Sequence, residues 1–302
     1  MLTGCATAFG LPSFATLLSA SSTDATGEPH IATNTYPWLT FAQRANRDFE
    51  SHADQLLSDI SATGIAGYEP IVNNAKEFSG LEQRLKSQDL EMRSIYVNSV
   101  LHDPGRIEES TSNVLSIAKA AKKLGTRIIV TNPSPIRWGG PEDKSDAQLS
   151  IQAKSLNSLG AELRKIGLTL AYHNHDAELR QGAREFHHML TATDPDNVKF
   201  CLDAHWVYRG CGNSEVSVFD ALHHYHDRIV ELHLRQSTKG IWTESFSITG
   251  DIDYRRLFDY LGERSIQPHF VLEQSIEDKS PKELSVVDAH RQSRRNLQRA
   301  LV

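Results

Sequence analysis

A hydrophobic stretch in the middle of this 302-residue chain ends in a dense group of chemically active side chains. The segment reads LTLAYHNHDAEL from Leu168 to Leu179, and its first half is typical of a buried strand. Its second half carries two imidazoles, an amide and two carboxylates, at His173, Asn174, His175, Asp176 and Glu178. Burying such groups without partners costs roughly 2–7 kcal/mol each. They are therefore either solvated at a strand end or held around something charged, and we adopt the second interpretation.

Four consecutive predicted strands end in a side chain that can bind a metal ion. These final residues are His173, Asp203, His233 and Glu273, spaced by about one strand–helix unit each. In a barrel of parallel strands the carboxyl ends meet at one face, where the active site is built. Two imidazoles and two carboxylates suit a borderline divalent ion such as Mn²⁺, Zn²⁺ or Co²⁺. The pattern predicts one divalent metal ion bound by these four residues.

The elements that must position these residues alternate between strand and helix. Periodicity predicts eight strands, at Ile31–Thr35, Gly67–Val72, Met92–Val97, Arg127–Thr131, Thr169–His173, Lys199–Asp203, Ile229–His233 and His269–Glu273. Eight such units predict a single-domain α/β fold, a (β/α)8 TIM barrel over residues 30–302. The alternative is a doubly wound open sheet. That fold usually carries a glycine-rich phosphate loop after its first strand, and the segment YPWLTFAQR has none.

The first 23 residues carry no charged side chain. They resemble the apolar and cleavage regions of a secretory signal but lack its basic start. We interpret residues 1–23 as a truncated export signal and residues 24–29 as a linker, which predicts a periplasmic or extracellular protein. The alternative is an apolar tail on a cytoplasmic protein. No apolar run elsewhere in the sequence is long enough to span a membrane.

Charge and cysteine content restrict the partners. A net charge of −6 argues against nucleic acid, whose partners usually show a basic surface. The three cysteines, Cys5, Cys201 and Cys211, cannot form a full disulfide framework. The oligomeric state stays open, with a homo-oligomer among the alternatives.

Motifs around the strand ends resemble those of one known family, the xylose isomerase-like TIM barrels or sugar phosphate isomerases/epimerases. The similar segments are Tyr172–Glu178, Asp203–Trp206, Arg209–Gly210, Asp227–Ile229, His233–Arg235, Thr249–Tyr254 and Leu272–Gln274. The resemblance extends over roughly residues 30 to 300. It implies one divalent metal ion (Mn, Zn, Co or Mg) bound by His173, Asp203, His233 and Glu273. It also implies a small carbohydrate substrate, a keto sugar or a cyclic polyol, that is isomerised, epimerised or dehydrated.

The chain departs from the family pattern at two places. His173 stands where many relatives have Glu, and Arg235-Gln236 stands where they have Lys-Asp. With one carboxylate fewer, one-base chemistry is favoured over epimerisation by two facing bases. Glu273 is the leading acid/base candidate, and His173 or Glu178 is the candidate for a second base.

Three reaction types and one non-enzymatic role remain open at this stage. The reactions are an aldose–ketose shift, elimination by a lyase or dehydratase, and hydrolysis of a keto-glycoside. A non-catalytic sugar-binding barrel is the further alternative. Phosphodiester hydrolysis is disfavoured because it needs a basic groove.

Several other residues near the strand ends are candidates for substrate contacts. They are His175, Asn98, His102, His205, Trp206 and Arg235, with Trp138 and Trp242 as aromatic rings that can stack on a sugar. Whether His173 or His175 is the ligand from the fifth strand stays open. Glu231 shares the inward face with His233 by strand alternation, and the sequence offers no partner for it.

Overall fold

The computed structural model describes residues 29–49 and 53–301. The predicted export signal, and all of the linker except its last residue, lie outside these residues. The strands are β1 (Ile31–Asn34), β2 (Gly67–Glu69), β3 (Ser94–Tyr96), β4 (Ile128–Thr131), β5 (Thr169–His173), β6 (Val198–Asp203), β7 (Ile229–Leu234), β8 (Ser237–Thr238), β9 (Ile241–Trp242) and β10 (His269–Leu272). The α-helices are α1 (Thr35–Arg44), α2 (Ala53–Ala62), α3 (Leu81–Ser87), α4 (Ile107–Lys122), α5 (Asp146–Lys165), α6 (Arg180–Thr191), α7 (Ala204–Gly210), α8 (Glu215–Tyr225), α9 (Tyr254–Glu263) and α10 (Val286–Leu301).

Eight parallel strands form the barrel, in the order β2-β1-β10-β7-β6-β5-β4-β3. The segments of β2 and β3 meet through isolated bridges, Gly67 with Glu91 and Ile71 with Tyr96, which bring the two edges together. The predicted single-domain TIM barrel is confirmed. β2 is shorter than predicted and ends at Glu69, because the next residue, Pro70, has no N–H to donate to a ladder.

Strand alternation divides each barrel strand between two environments. In β7, Leu232 and Leu234 belong to the main hydrophobic core, which also contains the buried faces of the surrounding helices. Glu231 and His233 alternate with them and point into the barrel. A small, separate apolar cluster contains Tyr96, Val130, Ala171 and Cys201. Much of the rest of the barrel interior is polar, and this polar interior carries the candidate site.

The helices pack tightly around the strands. One apolar face of α5 is fully buried, at Leu156, Leu159 and Leu163. Gly160 lies on the same helix, where an added Cβ would come within 2.1 Å of the carbonyl oxygen of Asn197. Any larger residue at this position would push α5 away from the segment that leads into β6. No helix among the described residues is long and apolar enough to cross a membrane.

Candidate metal centre and active site

The four predicted metal ligands lie together at the carboxyl end of the barrel. His173 ends β5, Asp203 ends β6, His233 lies one residue before the end of β7, and Glu273 follows β10. One nitrogen or oxygen atom of each residue lies within 4.8 Å of those of the other three. All four side chains are buried. We call these four residues the ligand cluster.

Two members of the ligand cluster have polar atoms without a hydrogen-bond partner. Within residues 29–49 and 53–301, neither ring nitrogen of His173 has a partner, and nor does Oδ2 of Asp203. The other oxygen of Asp203 accepts from the backbone N–H of Trp206 at 2.9 Å. An unpaired buried polar group costs about 1–3 kcal/mol. These unpaired nitrogen and oxygen atoms, with the donors beside them, fit a divalent metal ion.

The charge states of the same residues suit metal binding. Burial, together with His233 and His175, lowers the pKa of His173 well below its ordinary value, so this imidazole is neutral. Neutral imidazole is the form that binds metal ions. Burial raises the pKa of Asp203 to about 7, and Arg235 partly opposes the rise. A cation at this position would return Asp203 to its ionised form.

A second polar group lies on the other side of the His233 ring. We call it the support cluster, and it consists of Glu69, Ser94, Glu231 and His269. The Nε2 atom of His233 is 3.0 Å from Oε1 of Glu69 and 3.3 Å from Oε1 of Glu231. The sequence offered no partner for Glu231, and the structure gives it two. Its Oε1 lies beside His233, and its Oε2 lies 3.0 Å from Nδ1 of His269.

Every carboxylate oxygen of the support cluster has a partner. Glu69 accepts from the side-chain amide of Asn34 at 2.6 Å through Oε1 and from the hydroxyl of Ser94 at 2.7 Å through Oε2. Burial and the charge of Glu231 raise the pKa of Glu69 to about 7. Burial alone would raise the pKa of Glu231 too, but hydrogen bonds from His233 and His269 hold it well below its ordinary value. The support cluster is thus a completed hydrogen-bond network.

This network orients His233. Carboxylates at Nε2 hold a proton on that nitrogen and leave Nδ1 for the ligand cluster, where it lies 3.2 Å from Oε2 of Glu273. Burial alone would lower the pKa of His233, but the carboxylates of Glu69 and Glu273 raise it well above its ordinary value. In the metal-free chain His233 is therefore protonated on both nitrogens, and a metal ion must displace the proton from Nδ1.

Arg235 joins the ligand cluster to two tryptophan rings. Its Nη2 is 3.0 Å from Oε2 of Glu273 and 3.9 Å from Oδ2 of Asp203. Its guanidinium carbon is 4.9 Å from the ring centroid of Trp206 and 4.4 Å from that of Trp242. Its Nη1 has no partner among the described residues although the side chain is fully buried. Arg235, predicted as a substrate contact, therefore has a donor left over beside the ligand cluster.

The turn after β5 positions His175 and Glu178 differently. Because β5 ends at His173, His175 is free of strand alternation, and its ring centroid lies 4.8 Å from that of His173. Glu178 is buried and accepts from the side chain of Asn132 at 3.2 Å and from the backbone N–H of His175 at 2.7 Å. Both of its oxygens are used in holding the turn. This geometry favours a positioning role for Glu178 over that of a second base.

The remaining predicted contacts divide between the site and its surroundings. Asn98 is exposed, and His102 lines a separate pocket between the loops after β3 and β4. His205 is buried and lies 2.9 Å, through Nε2, from the hydroxyl of Ser237. Burial, Arg235 and Arg209 lower the pKa of His205 to about 2. His205 therefore supports the loop after β7 as a neutral ring.

Of the support cluster, only Glu231 is among the residues predicted from the sequence. Glu69 could also have been recognised from the sequence, because it is an acidic residue at an inward position of a short strand whose other residues are Gly and Tyr. Ser94 and His269 have no such signal.

A second set of possible metal ligands consists of His173, Cys201 and His233, whose ligand atoms also lie within 4.8 Å of one another. Burial raises the pKa of the Cys201 thiol well above its ordinary value, so in the metal-free chain it is a neutral thiol, 3.7 Å from Oε1 of Glu231.

Comparison with known proteins bears on the family and the fold. The family model described as xylose isomerase-like TIM barrel matches residues 57–298. The inosose dehydratase of Clostridium perfringens is 23% identical over 252 residues, which is 74% of this chain and 82% of that protein. A sugar phosphate isomerase/epimerase from Parabacteroides distasonis superposes with a TM-score of 0.70 at 17% identity, covering 93% of this chain and 97% of the other. A xylose isomerase-like TIM barrel protein from Mycobacterium smegmatis, in complex with magnesium, gives 0.65 at 14% identity, covering 90% and 97%.

The chain belongs to the xylose isomerase-like TIM barrel family. It is an enzyme of this sugar isomerase/epimerase-like family, in which lyase activity also occurs. The predicted family and enzyme class are confirmed.

Proposed function

We propose that this protein is a divalent-metal-dependent lyase that removes a proton from a keto sugar or keto polyol with one base and eliminates a neighbouring oxygen substituent. The observation that carries the proposal is the ligand cluster, in which ligand-type atoms converge and several of them lack any partner in the described chain. The metal would be held by His173, Asp203, His233 and Glu273. When bound, such an ion polarises a carbonyl group and its adjacent hydroxyl.

Glu273 is the proton acceptor in this proposal. Burial alone would raise its pKa, but His233 and Arg235 lower it well below its ordinary value, so the carboxylate is ionised. Its Oε2 is held by His233 at 3.2 Å and by Arg235 at 3.0 Å. Its other oxygen, Oε1, is the atom that can take the proton from the carbon next to the carbonyl. The free Nη1 of Arg235 can donate to a substrate oxygen beside it.

The absence of a matched second base favours elimination over epimerisation. Both carboxylate oxygens of Glu178 already accept hydrogen bonds, one from the side chain of Asn132 and one from the backbone N–H of His175. His173, the other candidate, is a neutral imidazole inside the ligand cluster. Epimerisation by two bases requires a proton acceptor on each face of the reacting carbon, whereas elimination requires only one. The similarity to an inosose dehydratase supports the same choice.

The proposal is tested by following the reaction in D₂O. Keto-inositols and keto-glucosides are incubated with Mn²⁺-loaded protein, and the recovered substrate and product are analysed by NMR and mass spectrometry. We expect an unsaturated ketone, with deuterium in recovered substrate only at the original configuration. Glu273→Gln should abolish turnover, and Asp220→Asn, an exposed carboxylate on α8, should not change it.

Two results would contradict the proposal. An inverted isomer carrying deuterium at the reacting carbon would show that a second base operates. Full activity after the metal has been removed by a chelator would show that the ligand cluster is not a metal centre.

A further inference from the structure

The loops after β3 and β4 form a pocket beside the candidate site. The elimination of a small group such as water would not need this pocket. This loop pocket has a volume of about 520 Å³, and its lining includes His102, Arg106, Ser134, Ile136 and Trp138. A water molecule takes up about 30 Å³ in the liquid. The loop pocket is therefore much larger than an exit for water, and it lies within the range of pockets that bind small organic ligands.

The loop pocket adjoins the ligand cluster. The ring centroid of Trp138 is 5.1 Å from that of His175, in an edge-on arrangement. The His175 ring is in turn 4.8 Å from that of His173. One imidazole ring thus separates a wall of the loop pocket from a member of the ligand cluster. Both loops also follow the carboxyl ends of their strands, so the loop pocket lies on the same face of the barrel as the site.

The lining combines an exposed apolar surface with an unpaired polar atom. Trp138 is 53% exposed and Ile136 is 44% exposed, which places both among the few large hydrophobic side chains exposed in the described chain. His102 is only 8% exposed, and its Nδ1 has no hydrogen-bond partner within residues 29–49 and 53–301. An exposed indole that shares a pocket lining with an imidazole and a guanidinium matches a ligand with an apolar face and a polar edge.

We propose that the loop pocket binds a second sugar ring, which is the leaving group of a keto-glycoside. This inference rests on the proposed function and names its substrate class. A pyranose ring has an apolar C–H face that can pack on Trp138 and hydroxyl groups at its edge that can bond to His102. Arg106 supplies further donors at the exposed rim. A purely aromatic leaving group would use the indole but not the hydrogen-bond donors of Arg106.

The reaction balances without an added oxidant or reductant. The ketone lies two bonds from the anomeric carbon, so the carbon between them carries an acidic hydrogen. Glu273 takes that proton, a carbon–carbon double bond forms, and the bond from the anomeric carbon to the glycosidic oxygen breaks. The electron pair leaves with that oxygen, which takes up the proton from Glu273 directly or through water, so that Glu273 is again a carboxylate. The products are an unsaturated keto sugar and the free second sugar in the loop pocket.

The first test compares two substrates that differ only in the leaving group. They are a keto-glucoside with a methyl aglycone and keto-cellobiose oxidised in its non-reducing ring, each with Mn²⁺-loaded protein. We expect kcat/KM to favour keto-cellobiose by at least ~10-fold, and Trp138→Ala to bring the ratio close to one. Val216→Ala, which removes an exposed apolar side chain from α8, is the matched control and should leave the ratio unchanged. An equal ratio in wild type and Trp138→Ala would overturn the proposal.

The second test needs no turnover and separates the two proposals. Saturation-transfer NMR measures the binding of cellobiose, glucose and phenyl glucoside, none of which carries a ketone, to the loaded wild-type protein. Cellobiose binding that depends on Trp138 and His102 supports the loop pocket as a sugar site, whether or not a keto sugar is turned over. A lack of turnover would then contradict only the proposed function. Turnover of methyl keto-glucoside without selective cellobiose binding supports the function and overturns the loop pocket. Tighter binding of phenyl glucoside than of cellobiose would overturn the assignment of a sugar.

Discussion

The support cluster contacts one histidine of the ligand cluster, His233, yet the hydrogen bonding of the two clusters is opposite. In the support cluster every carboxylate oxygen of Glu69 and Glu231 has a partner. In the ligand cluster, both nitrogens of His173 and one oxygen of Asp203 have none in the described chain. Glu69 and Glu231 are as fully buried as His173 and Asp203, so solvent cannot account for the difference. Buried polar atoms in folded proteins normally have hydrogen-bond partners. The unpaired atoms of the ligand cluster are therefore best explained by a ligand that binds there.

This difference assigns the two clusters separate roles. The support cluster fixes the orientation of His233 and can be complete before any ligand arrives. The ligand cluster is complete only when a cation replaces the missing partners. Substitutions in the support cluster should therefore act mainly on stability and orientation, and substitutions in the ligand cluster mainly on metal binding.

The largest expected effect is loss of metal from the ligand cluster. Asp203→Asn combined with Glu273→Gln removes both anionic ligands and should lower metal affinity by at least ~1,000-fold. Substituting a residue that only hydrogen-bonds to a metal ligand already lowers metal affinity roughly 10–100-fold. Metal analysis after dialysis should find about one ion per chain in wild type and almost none in the double variant. Asp220→Asn with Glu263→Gln changes the same charges on the exposed surface and is the control. Full retention of metal by the first pair would remove the ligand cluster as the metal site.

The second effect is on the stability of the metal-free chain. Glu231→Ala removes the buried carboxylate that contacts both His233 and His269 and should cost about 3–5 kcal/mol of unfolding free energy. His173→Leu removes an imidazole that has no partner, and should leave stability unchanged or raise it by about 1 kcal/mol. Urea unfolding in the presence of a chelator measures both. Equal destabilisation by the two substitutions would mean that the clusters do not differ as their hydrogen bonds indicate.

The ends of four predicted strands predicted the ligand cluster, because finding a strand end needs only local information. Once four strands were placed, alternation and the barrel topology set His173, Asp203, His233 and Glu273 on one face, whatever their partners. Glu69 could not be assigned in the same way. Its partners, Asn34, Ser94 and His233, come from three other strands, and which carboxylate meets which donor depends on how the barrel closes. The same holds for Glu178, whose bond to Asn132 crosses from one strand-end loop to another.

A third and smaller effect is the dependence of metal affinity on Glu69. Glu69→Gln keeps the shape of the side chain but removes a carboxylate that holds Nε2–H of His233 at 3.0 Å. We expect affinity to fall roughly 10–100-fold, as for other residues that orient a ligand. Calorimetric titration with Mn²⁺ measures the change. Glu91→Gln, an exposed carboxylate near the other end of the barrel, is the control.

The pH dependence of the same titration tests the charge of His233. Its pKa in the folded metal-free chain is raised above the ordinary value of 6.5, so below the raised value each unit fall in pH should weaken binding by about tenfold. The raised pKa also contributes stability that is complete below about pH 6.5 and is lost as pH rises through the folded value. In Glu69→Gln both dependences should shift to lower pH. An affinity independent of pH in wild type would contradict a proton on Nδ1.

The smallest expected effect belongs to Cys201, and it decides where the ion lies. The thiol is 3.7 Å from Oε1 of Glu231 and, with His173 and His233, forms the alternative set of three ligand-type atoms. Because burial raises its pKa, the thiol stays protonated and makes only a weak contact. Cys201→Ala should therefore change metal affinity by less than about twofold and stability by about 1 kcal/mol. Cobalt-substituted wild type should also lack the strong near-ultraviolet absorption of a thiolate ligand. If that absorption appears and disappears in Cys201→Ala, the ion is bound on the side of the support cluster, and the contrast between a completed cluster and an open one fails.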